Sequence, residues 1–140
     1  MSTIEKAIAL AAKKHTGQLD KGGQPYIFHP LRLMLKVHHP QQQIVAVLHD
    51  ILEDTDTTIV DLISLGFNQD TIDAILALTK KSGETRIQAA YRAAKNPIAK
   101  IVKLADVMDN MDLTRIPQPT QRDLQRLEEY KKVYEILQNS

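Results

Sequence analysis

The stretch Ile44-Val45-Ala46-Val47-Leu48-His49-Asp50-Ile51-Leu52-Glu53-Asp54-Thr55 sets a wholly apolar run directly against four ionisable side chains. A helix that buries Ile44, Val47, Leu48 and Leu52 puts His49 and Glu53 at i,i+4 spacing, and likewise Asp50 and Asp54. Imidazole and carboxylate groups at the edge of a hydrophobic core are costly to desolvate unless a cation balances them. Any fold this chain adopts must bring compensating charge to that point. The pattern reads as half of a metal site.

Elsewhere the periodicity is helical. Ile4, Ile8, Ala11 and Ala12 predict a helix over about Thr3 to His15, capped by Ser2 or Thr3 and stopped at Gly17. From Gln18 to Tyr26, the pair Gly22-Gly23 and Pro25 predict a loop. Pro30 opens a helix carrying Leu31, Leu33, Met34, Leu35 and Val37, which ends near His38-His39-Pro40. A third helix is expected over about Gln41 to Leu52. Asp56-Thr57-Thr58 caps a helix closed by Gly66, and Asn68 or Asp70 caps the next, with Ile72, Ile75, Leu76 and Leu78 inward. A weakly apolar helix runs from Glu84 to Lys95. Asn96-Pro97 starts another with Ile98, Ile101, Val102, Leu104, Ala105, Met108 and Met111. The last, roughly Thr120 to Gln138, turns Leu124, Leu127, Val133, Ile136 and Leu137 inward. No strand alternation stands out. The expectation is an all-α fold, a single domain over 1–140 built as a bundle of about eight helices.

Composition narrows the functional classes. The 140 residues carry a formal net charge of +1 and no Cys. A near-neutral balance argues against a duplex nucleic-acid partner. The lack of Cys excludes a disulfide framework or thiolate zinc site and fits a reducing compartment. No apolar run approaches the roughly 18 residues that span a bilayer, so no membrane association is expected. Met1 to Lys6 lacks the layout of a signal peptide, and a cytoplasmic protein is the plain reading. Homo-oligomerisation is left open.

Two further residues break the apolar pattern. His29 sits before Pro30 at a helix start, where its ring is either a rigid ligand or a capping group. Asp106 interrupts Ile101-Val102-Lys103-Leu104-Ala105-Asp106-Val107-Met108; its partner is either a metal or Lys103 at i−3. His49 and Asp50 point about 100° apart on a helix, so both can reach one ion between them. Together His29, His49, Asp50 and Asp106 form a mixed N/O set suited to Mn²⁺, Fe²⁺, Zn²⁺ or Mg²⁺.

These residues match the H…HD…D pattern of HD-domain metal-dependent phosphohydrolases. Four blocks narrow the resemblance: His15-Thr16-Gly17-Gln18, Pro25-Tyr26-Ile27-Phe28-His29-Pro30, His49-Asp50-Ile51-Leu52-Glu53-Asp54-Thr55 and Val102-Lys103-Leu104-Ala105-Asp106. In that order they resemble the hydrolase domain of RelA/SpoT-type proteins and, in a short chain, the small alarmone hydrolases. The resemblance runs from about His15 to Tyr134. It implies that His29, His49, Asp50 and Asp106 bind one divalent ion, typically Mn²⁺. It assigns water activation to the pair Glu53 and Asp54; Glu53, one helical turn after His49, is placed to take the proton and Asp54 to orient or relay, the bland alternative being a solvated helix end. It also implies a small-molecule nucleotide substrate, a guanosine alarmone losing its 3′-pyrophosphate. Lys21 would neutralise a phosphate, Asn110 approach the sugar or phosphate, and Arg126 and Tyr130 face the pocket.

This chain departs from the family pattern at three positions. Asp20 stands where the family has an Arg that packs on the purine. Val107 and Asp109 replace the Arg and His of the ADR-x-HN motif. The alternatives are therefore the same chemistry on another nucleotide, such as a nucleoside polyphosphate, dinucleotide phosphate or monophosphate, or an HD module that senses a nucleotide without turnover. His15 and Tyr91 are candidates to line or buttress the pocket, and His38 and His39 read as solvated helix-end residues.

Overall fold

A computed structural model describes residues 3–140. The described residues form nine α-helices and one 3-10 turn, with only an isolated bridge between Leu19 and Pro25 in extended pairing. Thr3 caps α1 (Ile4–Lys14), its hydroxyl accepting from the Lys6 amide at 3.3 Å. Ser2, the alternative cap, lies outside the described residues. α2 (Phe28–Lys36) follows the 18–26 loop, with Pro30 in its first turn. α3 (Pro40–Leu48) is the axis of the core, with Val45, Ala46, Val47 and Leu48 all fully buried. α1 and α2 pack on α3. So do α6 (Gln69–Leu78, capped by Asn68) and α8 (Pro97–Asn110, capped by Asn96).

Capping boxes at Thr58, Thr85 and Thr120 open α5 (Ile59–Ser64), α7 (Arg86–Ala94) and α9 (Gln121–Gln138). Each satisfies two amides that a helix start would otherwise leave unpaired. α7, α8 and α9 close a second, smaller core around Ala90, Val107, Val133 and Leu137. Among the described residues no helix is long and apolar enough to cross a membrane.

Three local expectations need correction. The third helix does not run on to Leu52. It ends at Leu48, His49 and Asp50 form a turn, and a single helical turn, α4 (Ile51–Asp54), follows. The His49 ring donates through Nδ1–H to the Ala46 carbonyl at 2.8 Å, giving that carbonyl a side-chain partner where the helix ladder is failing. His49 and Glu53 are thus not one turn apart on a continuous helix. The Asp50–Asp54 spacing survives, since the Asp54 amide donates to the Asp50 carbonyl at 2.9 Å. Leu124 is 45 % exposed instead of buried, because the first two turns of α9 face a cavity and only the later turns, with Val133 and Leu137, reach the core. Leu76 is 37 % exposed, on the outer side of α6.

Candidate active site

The C-terminal end of α3, the start of α2 and the middle of α8 meet at one point, where they bring His29, His49, Asp50 and Asp106 together. His29, His49 and Asp50 offer ligand atoms that all lie within 4.8 Å of one another. Asp106, buried on the inner face of α8, places Oδ1 at 2.9 Å from His29 Nε2 and 3.6 Å from His49 Nε2. The two imidazole rings stand edge to face, 5.1 Å apart.

Hydrogen bonding fixes what each ring presents. A carbonyl oxygen only accepts, so the bond to Ala46 places the His49 proton on Nδ1. In the neutral ring Nε2 then carries a lone pair. It faces Asp50 Oδ2 at 3.0 Å and has no hydrogen-bond partner of its own. His29 is arranged alike: Nδ1–H donates to Asp109 Oδ2 at 2.6 Å, leaving Nε2 toward Asp106. Lone pairs on two imidazoles and two carboxylates aimed at one another repel unless a cation lies among them. The donor set therefore fits a divalent ion, and in its absence a proton is held on each ring.

The ionisation pattern follows. Burial alone would lower the pKa of His29 and His49, but Asp106 and Asp109 raise His29, and Asp50 and Asp106 raise His49 well above the usual range. Burial would raise Asp50 and Asp106, yet His49 holds Asp50 low, while Lys103 and both imidazoles hold Asp106 far below the ordinary carboxylate range. Lys103 Nζ lies 2.9 Å from Asp106 Oδ2, so the i−3 ion pair exists beside the imidazole contacts and does not replace them. Tyr26 donates its hydroxyl to Asp50 Oδ2 and stacks between His15 (centroids 4.9 Å apart) and His29 (5.6 Å).

A cavity of about 470 Å³ opens over this cluster, within the range of small-molecule sites. Lys21, Glu53, Asp54, Asn110, Arg126 and Tyr130 all line it. Asn110 donates to Asp106 Oδ1 at 3.1 Å. Lys21 has a lowered pKa from partial burial and from Arg126 and Arg86 nearby. Tyr130 lies under the Arg86 guanidinium, 4.8 Å from ring centroid. Glu53 Oε1 accepts the Lys80 amide at 2.9 Å. Desolvation and the charges of Asp50 and Glu53 push Asp54 up to about 6.

Sequence reasoning missed Lys80, Arg86 and Arg115, which also line the cavity. Nothing in their local sequence separates them from solvated cations. It also missed the role of Asp109, whose buried carboxylate gathers His29, Arg32 and Arg115. His15 is buried and braces Tyr26, while Tyr91 is 58 % exposed and away from the cavity lining. His38 and His39 are exposed at the α2–α3 junction.

No protein-family model matches the chain. A guanosine-3′,5′-bis(diphosphate) 3′-pyrophosphohydrolase of Aquifex aeolicus is 33 % identical over 120 residues, covering 77 % of this chain. The chain spans 17 % of that relative's length. The zebrafish (Danio rerio) enzyme guanosine-3′,5′-bis(diphosphate) 3′-pyrophosphohydrolase MESH1 is 33 % identical over 143 residues, covering 92 % of this chain and 78 % of its own. A solved structure of a metazoan ortholog of SpoT, described as hydrolysing ppGpp and acting in starvation responses, superposes with a TM-score of 0.83 at 27 % identity, over 98 % of this chain and 86 % of that one. The chain belongs to the guanosine-3′,5′-bis(diphosphate) 3′-pyrophosphohydrolase family, and its all-helical architecture is that of the metazoan member.

Proposed function

We propose that this chain is a divalent-metal-dependent nucleotide pyrophosphohydrolase that removes the 3′-pyrophosphate from (p)ppGpp-type alarmones in the cytoplasm. The observation that carries the reading is the pair of buried imidazoles whose Nε2 atoms converge on Asp50 and Asp106. His29, His49, Asp50 and Asp106 would hold the ion, with Mn²⁺ the preferred candidate and Fe²⁺, Zn²⁺ or Mg²⁺ compatible with the same donors. Such an ion, when bound, supplies a more acidic water and polarises a phosphoryl oxygen.

The remaining work falls to the chain's own side chains. Asp54, with a pKa near neutrality and free of the anchoring that ties Glu53 to the Lys80 amide, is the better placed of the two acids to accept the water's proton. Glu53 then orients it, which exchanges the roles expected from the helical spacing of His49 and Glu53. Lys21, Arg86 and Arg126 line the wall that would take the diphosphate charges, and Asn110 reaches the sugar or phosphate from beside Asp106.

A second reading keeps the chemistry and changes the base. Asp20 Oδ1 accepts the Gly22 and Gln24 amides, each at 2.9 Å, and Oδ2 sits 3.6 Å from Arg115 Nη1. Position 20 is thus engaged within its own loop and offers no guanidinium to stack on a purine. Pyrophosphate release from ppGpp with Mn²⁺, compared against other nucleoside polyphosphates, dinucleotide phosphates and monophosphates, separates the two. Release from ppGpp that persists in both Asp106→Ala and Asp54→Asn would discard the mechanism.

A further inference from the structure

Asp109 occupies the position where the family pattern has His, and it is 3 % exposed on the inner face of α8. Its carboxylate is among the most heavily engaged in the molecule. Oδ2 accepts His29 Nδ1–H at 2.6 Å, and Arg32 donates Nε to Oδ1 at 2.8 Å and Nη2 to Oδ2 at 2.9 Å. Arg115 Nη2 donates to Oδ2 at 3.3 Å and to the Asp109 carbonyl at 2.6 Å, and Lys36 Nζ lies 3.6 Å from Oδ1. A buried ion pair of this kind returns little net stability, since desolvation offsets most of the attraction. What the bidentate Arg32 fork does supply is orientation: it fixes the carboxylate plane, and with it the rotation of the imidazole hydrogen-bonded to that plane.

We infer that Asp109 is a positioning residue for His29, holding its ring in the Nδ1–H tautomer with Nε2 turned toward Asp106 and Asp50, and that Arg32 and Arg115 lock it in place. Two of the departures from the family pattern then belong to one unit. Arg115 touches Asp109 with one end of its guanidinium and approaches Asp20 Oδ2 with the other. The acid at position 20 and the acid at position 109 thus share one cation, which ties the Lys21-bearing loop to the imidazole. Ala46 performs the matching service for His49, through a backbone carbonyl. A ligand's hydrogen-bond partner beyond the ion is worth roughly ten- to hundredfold in metal affinity.

The inference rests on the metal reading proposed above, and its test keeps the two apart. Chelator-stripped protein is titrated with Mn²⁺ by calorimetry, for the wild type and for Asp109→Asn, with far-UV circular dichroism as the check on folding. The visible spectrum of each Co²⁺-loaded protein is recorded as a report on ligand geometry. The expected result is a folded Asp109→Asn protein that binds Mn²⁺ about ten- to hundredfold more weakly and gives an altered Co²⁺ spectrum. A folded variant with wild-type affinity and a wild-type Co²⁺ spectrum, even one with a lowered melting temperature, overturns the inference and leaves the metal reading standing. A wild type that binds no divalent ion overturns both. If Asp109→Asn does not fold, Arg32→Gln, altered at a side chain 30 % exposed, loosens the same carboxylate: weakened Mn²⁺ binding supports the inference and unchanged binding overturns it.

Discussion

Asp54 shows how position along the chain sets chemistry. It follows Glu53 in the same turn, yet Glu53 is pinned to the Lys80 amide while Asp54 is left with partial burial, the repulsion of Asp50 and Glu53, and a pKa of about 6. A carboxylate accepts a proton only when ionised, so a raised pKa means activity that is lost on acidification. The rate of pyrophosphate release should rise with pH through an apparent pKa near 6 and level off above it. Asp54→Asn should lower kcat by about 10²–10⁴-fold and abolish that limb of the profile. A pH–rate profile of the two proteins checks it; an unchanged limb in the variant would move the base elsewhere. Asp106 and the His49-Asp50 pair were readable in the sequence because each interrupts an apolar run that helical periodicity commits to the core. Asp109 lies at i+3 from Asp106, just past the end of that run, and its departure from the family pattern was legible. Its meaning was not, because Arg32 lies 77 residues away and Arg115 beyond the helix end, at contacts that no local pattern encodes.

At the scale of elements, caps and loop boundaries followed local rules, and the site depends on where those rules gave way. Thr3, Thr58, Asn68 and Asn96 cap the helices their sequence context indicated, while Thr85 and Thr120 cap helices for which no cap was expected. Thr85→Ala removes one half of the capping box of α7, the helix whose first residue, Arg86, enters the cavity. It should cost about 1 kcal/mol in urea unfolding with the slope unchanged. The break after Leu48 escaped the periodicity because Ile51 and Leu52 continue an apolar pattern; it takes the His49 ring's own bond to Ala46 to end the helix there. That break turns two neighbouring residues toward one point. The 18–26 loop obeys a different constraint. A Cβ on Gly22 would fall 2.1 Å from the Arg115 carbonyl oxygen, a backbone atom that cannot swing aside. Gly22→Ala should therefore displace the loop that carries Lys21, raising KM for the nucleotide more than it lowers kcat. Steady-state kinetics showing an unaltered KM would mean that Lys21 does not touch substrate.

For the whole molecule, the charges gathered around the site make stability depend on pH and on metal in a linked way. The direction for each group can be worked out in turn. Asp50, Asp106 and Asp109 have folded pKa values below the usual carboxylate range, Asp109 through His29 and Arg32 despite its burial. Their contribution is fully present above the unfolded value of about 4 and is lost as pH falls toward the folded values. His29 and His49 are shifted upward, so theirs is fully present below about 6.5 and is lost as pH rises through the folded values. In chelator the melting temperature should pass through a maximum between about pH 4 and pH 6.5 and decline on either side. A divalent ion binds the neutral imidazole and competes with those protons, so adding Mn²⁺ should raise the melting temperature increasingly as pH rises above about 6.5, where the metal-free protein progressively loses the imidazolium contribution. Thermal melts at matched pH with EDTA and with Mn²⁺ test both halves. A metal-free curve that keeps rising through pH 8 would mean the imidazoles are not held protonated by Asp50, Asp106 and Asp109. A Mn²⁺ increment independent of pH would mean the ion displaces no proton, and so does not bind at His29 and His49.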